Sequence, residues 1–167
     1  MPETIDTPTV SLLRADYNDP RAAVLRSAMD SEMGILYSGS AARMSAEVAE
    51  AMTRAFAIDP SEMIATVLVM DGDVAIGHAA LRPYGDALEV KRVFLAADAR
   101  GRGLAELLMM EMEAIARERG ITKLLLQTGG LQVAAIRLYE RLGYTAIPSF
   151  RQYDAVPGGR CFEKVLP

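Results

Sequence analysis

Between residues 87 and 128 the hydrophobic period of the chain switches twice. Residues 87–96 read as a strand. Leu104, Leu107, Leu108, Met112 and Ile115 then recur at helical spacing until Gly120 stops the helix, and residues 123–127 form a second, buried-looking strand. A strand, a helix and a strand in this order read as a βαβ unit. The two strands are then parallel and the crossover is right-handed.

Upstream of this unit the pattern is antiparallel. Residues 63–70 are an apolar run, Asp71-Gly72-Asp73 is a tight turn, residues 74–81 are a second run, and Tyr84-Gly85-Asp86 turns into the 87–96 strand. Residues 9–14 are apolar enough for an opening strand. Asn18-Asp19-Pro20 starts a helix over residues 21–29, with Asp19 as N-cap and Pro20 in the first helical position. Residues 45–57 form another helix, closed by Ile58-Asp59-Pro60. Residues 31–40, with two glycines and Tyr37, remain ambiguous. Downstream, residues 132–142 are helical with Gly143 as C-cap, a strand begins at residues 144–147, and residues 161–166 supply the last strand. Residues 1–8 carry two prolines and read as a frayed end. The expectation is a single domain over residues 1–167 of the α/β (α+β) class. Its mixed, mostly antiparallel central sheet is flanked by helices.

Charge and cysteine content narrow the function. Eighteen Lys and Arg against 22 Asp and Glu give a net charge of -4. That argues against a general nucleic-acid coat or a polybasic membrane anchor. One cysteine, Cys161, and one histidine, His78, cannot build a Cys/His zinc site. No apolar run reaches the roughly 18 residues of a membrane span, and the N-terminus lacks a signal-peptide pattern. The expectation is a cytoplasmic chain that uses no metal and has no nucleic-acid or membrane partner.

On this acidic background lies one basic island. Lys91, Arg92, Arg100 and Arg102 surround a single anion, Asp98, within residues 91–102. Arg100-Gly101-Arg102-Gly103-Leu104-Ala105 joins the 87–96 strand to the long helix. A helix N-terminus offers free amide donors and the positive end of its dipole, and glycines let the backbone approach a phosphate. The alternative is a plain helix start with surface arginines. No Gly-Lys-Ser/Thr follows, so the turn is not a P-loop, and Glu106 occupies the position where a dinucleotide fingerprint wants glycine.

Arg100 to Ala105 resembles the Gln/Arg-x-x-Gly-x-Gly/Ala signature of the GNAT superfamily of N-acetyltransferases. A second block, Gln132-Val133-Ala134-Ala135-Ile136-Arg137-Leu138-Tyr139-Glu140-Arg141-Leu142-Gly143-Tyr144, resembles the family's Asn-x-x-Ala-x-x-x-Tyr-x-x-x-Gly-Phe/Tyr helix, with Gln132 where Asn is usual. Glu89-Val90-Lys91-Arg92, Gln127-Thr128-Gly129 and Cys161-Phe162-Glu163-Lys164 look like a subgroup of small bacterial members. The resemblance implies acetyl-CoA as donor and a primary amine of a small metabolite or amino-acid-like compound as acceptor, joined directly in a ternary complex. It implies that Val93, Phe94 and Leu95 lend backbone groups to the pantetheine arm. The pyrophosphate then lies on the amides of Arg100, Gly101, Arg102, Gly103, Leu104 and Ala105, with Gln132 and Tyr139 also at the cofactor. A homodimer is common in the family.

A lysine-like amine with pKa ~10.4 is only about one part in a thousand neutral at pH 7, a handicap of roughly 4–5 kcal/mol that a base can ease. Glu89 is the candidate base; family members that use a strand glutamate carry it at this offset from the signature. Its alternative role is an ion pair with Lys91, its same-face neighbour. Tyr139 is the candidate acid or sulfur-orienting group, with a core tyrosine as the alternative. The backbone amide of Phe94 or Leu95 is the expected oxyanion donor. His78 is a second candidate base at the acceptor site, or a hydrogen-bonded residue of the sheet. Lys91 or Arg92 is placed to bind an acceptor carboxylate, and strand alternation lets at most one of them face it. Met29, Met33 and Met44 flank the ambiguous segment as candidates for the acceptor wall. The competing functions are a non-catalytic acyl-CoA sensor and an interaction module on the same scaffold.

Overall fold

A computed structural model describes residues 10–167. The expected frayed end, and Thr9 of the opening strand, lie outside the described residues. The chain runs β1 (Val10–Ala15), α1 (Pro20–Leu36), α2 (Ser38–Ala41), α3 (Ala46–Phe56), β2 (Ala65–Asp71), β3 (Val74–Tyr84), β4 (Ala87–Leu95), α4 (Leu104–Glu118), β5 (Lys123–Gly129), α5 (Val133–Arg141), β6 (Thr145–Ile147) and β7 (Gly159–Val165). The seven strands form one sheet in the order β1-β2-β3-β4-β5-β7-β6. Among the described residues only β4 and β5 pair in parallel; every other neighbour is antiparallel. The crossover through α4 therefore makes the βαβ unit expected from the period switch, and the fold class stands.

Alternation along β2 shows how the sheet divides its core. Val67 and Val69 pack with Leu108, Met109 and Met112 of α4, whereas Leu68 and Met70 pack with Ala22 and Leu25 of α1. On the α1 side a further cluster joins Ala55 of α3 to Leu125, Phe150, Tyr153 and Cys161. Two helical layers thus sandwich the sheet, with α4 and Leu138 and Tyr139 of α5 on one face and α1 and α3 on the other.

The sequence and structure differ most in α1. It starts as expected, with the Asp19 side chain accepting from the Arg21 amide at 2.9 Å and Pro20 in the first turn. It continues to Leu36, into the segment that sequence left ambiguous, and α2 takes up the rest of that segment. Gly34 inside the helix costs about 1 kcal/mol relative to alanine. Long-range ion pairs hold this second half: Asp30 binds the Arg92 guanidinium at 2.6 and 3.1 Å, and Glu32 binds Arg100 at 2.7 Å. No periodicity within residues 31–40 can report partners that far along the chain.

Candidate active site

The parallel pairing of β4 with β5 runs from Leu88–Leu124 to Val90–Leu126 and stops. Beyond Val90 the two strands diverge, and the β4 edge facing β5 has no strand partner. A bulge re-aims β4 at the same point. Ala80 and His78 of β3 lie opposite Lys91 and Phe94, so one extra residue is accommodated on β4, and Arg92 adopts φ +59°. The bulge overturns the expectation from alternation that Lys91 and Arg92 face opposite sides; both line the opening. His78 fastens the bulge from below. Its Nδ1 donates to the Arg92 carbonyl at 2.8 Å, and its Nε2 accepts from Arg26 at 3.1 Å.

Into this opening runs a cleft of about 900 Å3, a volume typical of small-molecule sites. Its sheet wall comprises Val90 to Val93 and Leu126 to Gly129. Gln132 and Tyr139 close it from the α5 side, and Met29, Met33, Met44, Met52 and Phe56 close it from the α1–α3 side. The three methionines named from sequence are therefore all on its wall. Tyr37, from the formerly ambiguous segment, also lines the cleft and keeps a buried hydroxyl with no hydrogen-bond partner. A Cβ on Gly129 beneath it would land on that hydroxyl and lie 3.0 Å from the Gln132 amide nitrogen, so a larger residue there would displace the Tyr37 side chain.

Beside the notch, α4 begins without a side-chain cap. Gly101 and Gly103 adopt φ +76° and +74°, a left-handed conformation that L side chains resist, and the space where a Cβ would sit is open at both. Helix start and unpaired strand edge each present free backbone donors, but Arg100, Gly101, Arg102, Gly103, Leu104 and Ala105 do not line the cleft itself. These features fit an anionic diphosphate followed by an extended amide-bearing arm. The arginine side chains are engaged elsewhere. Arg100 donates to the Leu95 carbonyl at 3.1 and 2.9 Å and to Glu32, and Arg102 reaches Asp71 only at 3.5 Å. Glu106, the one acidic residue of the first helical turn, is held by Arg141. Val93 lines the cleft, whereas the Phe94 side chain packs into the α1-side core and Leu95 against the α4-side core.

Tyr139 sits on α5 within an aromatic group, 5.9 Å from the Tyr144 ring and 6.2 Å from Phe162. Its side chain lines the cleft, and burial pushes its pKa far above the ordinary phenol value. The core-tyrosine and cleft-tyrosine alternatives are thus both realised in one residue.

The two base candidates fare differently from expectation. Glu89 is fully buried and does not line the cleft. Its Oε2 accepts from Arg82 Nε at 2.8 Å and pairs with Arg151 Nε at 2.7 Å. Its Oε1 accepts from the Tyr153 hydroxyl and lies 3.5 Å from Lys91 Nζ. Burial alone would raise its pKa, but Lys91, Arg82 and Tyr153 together hold it below the usual carboxylate value. Both facts count against a base that meets the acceptor directly. The alternative reading, an ion pair with Lys91, is closer, but the arginines are the tighter partners. His78 likewise does not reach the cleft; it is fully buried, and burial drives its pKa down to about 4. Its role is to hold the bulge.

Sequence reasoning passed over Arg82, Arg151 and Tyr153. A signal existed for the first. A turn at Tyr84-Gly85-Asp86 that pairs Tyr84 with Ala87 puts Arg82 opposite Glu89. Arg151 and Tyr153 lie in the aperiodic segment between β6 and β7, where nothing local announces a partner in Glu89. Among the described residues, no group of three or more His, Cys, Asp or Glu is placed to hold a metal, and no helix is long and apolar enough to cross a membrane.

A curated relative, the IAA acetyltransferase of Azospirillum brasilense, is 36% identical over 93 residues, covering 56% of this chain and 61% of that protein. The match therefore spans less than two thirds of the relative's length. A Klebsiella pneumoniae structure provisionally assigned as an acyl-CoA N-acyltransferase aligns over 96% of this chain and 99% of its own, with 26% identity and a TM-score of 0.75. The PaiA N-acetyltransferase of Thermoplasma acidophilum, solved with coenzyme A, shares the fold at 15% identity and a TM-score of 0.67, over 94% of this chain and 99% of its own. The family model described as acetyltransferase (GNAT) family matches residues 27–144, from the middle of α1 to the end of the α5 block. Notch, glycine turn and Tyr139 all fall inside that match, and the chain belongs to the acetyltransferase (GNAT) family.

Proposed function

We propose that the protein transfers an acetyl group from acetyl-CoA to the primary amine of a small metabolite, in a ternary complex and without an acyl-enzyme. The observation that carries this reading is the parting of β4 from β5 after Val90 and Leu126, beside the uncapped start of α4. The amides of Gly101 to Ala105 would hold the diphosphate, and the unpaired β4 edge from Val93 to Leu95 the pantetheine arm. Acetyl-CoA supplies the activated acyl group. An amine arriving from the methionine-lined side forms the new C–N bond as the C–S bond breaks, and a backbone N–H on the β4 edge steadies the carbonyl oxygen as negative charge develops. Tyr139 keeps its proton at working pH and hydrogen-bonds the departing sulfur, passing the proton over only as the C–S bond breaks and regaining it from the water that takes up the acceptor's proton. The acceptor's ammonium proton leaves through water in the cleft, since Glu89 is locked behind Lys91 and His78 beneath the bulge.

The test is a panel of primary amines with a thiol-release readout. Release that depends on the amine supports the reading. Tight coenzyme A binding with no release for any amine would favour the acyl-CoA sensor instead.

A further inference from the structure

Under the cleft lies a charged cluster that the proposed reaction does not use. Arg82, Lys91 and Arg151 converge on one buried carboxylate, Glu89. A second carboxylate, Glu62, is half exposed and reaches only the outer nitrogen of Arg82, at 3.8 Å. Of the three cations, Lys91 alone lines the cleft. Its ammonium donates to the Tyr153 hydroxyl at 2.7 Å, while Glu89 at 3.5 Å lies beyond ordinary hydrogen-bond range. One of its three donors is thus used in a hydrogen bond. The neighbouring cation, Arg92, contrasts with it, being neutralised on the same wall by both oxygens of Asp30.

We infer that the acceptor carries a carboxylate next to its amine and an apolar side chain, as an apolar α-amino acid does, and that Lys91 receives the carboxylate. This rests on the acetyl-transfer reading for the identity of the cleft. The placement supplies the rest. Lys91 is the first β4 residue past the last β5 pairing, so it stands at the mouth of the notch. A carboxylate held there keeps an α-amine one carbon away, close to where the thioester is expected. The opposite wall, with Met29, Met33, Met52 and Phe56, offers thioethers and a ring to an apolar side chain and no second cation. Burial, opposed by Glu89 and assisted by Arg82 and Arg92, draws the Lys91 pKa down to about 8. The ammonium is still charged at neutral pH, and an incoming carboxylate offsets the excess positive charge around it.

The experiment is calorimetric titration of methionine, leucine, phenylalanine and tryptophan, each against its neutral carboxamide, with and without coenzyme A. For at least one pair the wild type should bind the acid about ten- to a hundredfold more tightly than the amide. Lys91→Met should abolish that ratio and leave coenzyme A affinity unchanged. Amides that bind as well as their acids throughout the panel overturn the inference, whatever the variant does. So does a ratio that survives in Lys91→Met. A wild type that prefers acids but ignores coenzyme A would sink the acetyl-transfer reading and leave the carboxylate site standing. One that binds coenzyme A and prefers no acid does the reverse.

Discussion

The two halves of the candidate site are built from different materials. At the α4 end the groups are backbone: unpaired β4 amides, an uncapped helix start and two left-handed glycines. At the α1–α3 end they are side chains: four methionines, Phe56 and a lysine backed by Glu89, Arg82, Arg151 and Tyr153. Backbone surfaces suit a ligand portion that is always the same, because few substitutions can alter them. Side-chain surfaces can be rewritten one residue at a time. The division matches a constant donor at one end and a specific acceptor at the other.

The sharpest way to break the side-chain end is Glu89→Gln, which leaves three cations without their common buried anion. It should cost about 3–5 kcal/mol of stability, read from the urea midpoint. A loss below about 1 kcal/mol would mean that the cluster does not depend on that carboxylate.

The bulge between the two ends depends on neutral His78. Its pKa is lowered from 6.5 to about 4, so between those values the unfolded chain takes up a proton that the native protein refuses. Stability should therefore decline as pH falls from 6.5 to about 4, by roughly 3 kcal/mol in total. His78→Asn should remove that step and leave the carboxylate titrations common to both proteins. An unchanged pH slope in the variant contradicts the assignment.

Tyr139 lies where the ends meet. Tyr139→Phe should lower kcat about a hundredfold through loss of the proton donor. Coenzyme A affinity should hold, and stability should stay within about 0.5 kcal/mol. An unaltered kcat returns this residue to the core.

The smallest effect belongs to the backbone end. Gly103→Ala forces a side chain into φ +74° and should cost roughly 1–2 kcal/mol of stability while weakening coenzyme A binding. If both quantities hold, the turn does not need its glycine.

The backbone end was also the legible one. Glycines at 101 and 103, the period switch on either side, and the spacing to Tyr139 are local patterns, and each reports its own neighbourhood. Asp19-Pro20 announced the start of α1 for the same reason. The other end was illegible because its order comes from distant partners. Asp30 and Glu32 hold the second half of α1 to Arg92 and Arg100, and Tyr153 reaches Glu89 from beyond β6. Glu89 could be picked out as a strand carboxylate, but only tertiary structure shows that arginines surround it. The bulge defeated alternation in the same way, by one residue that local propensity gives no reason to expect.

The most direct measurement of the account is amide hydrogen exchange with and without coenzyme A, with NAD and ATP as controls. Coenzyme A, and neither control, should slow exchange together along Val93–Leu95 and at Leu104–Glu106. Protection confined to other parts of the chain, or equal protection by NAD, would contradict it.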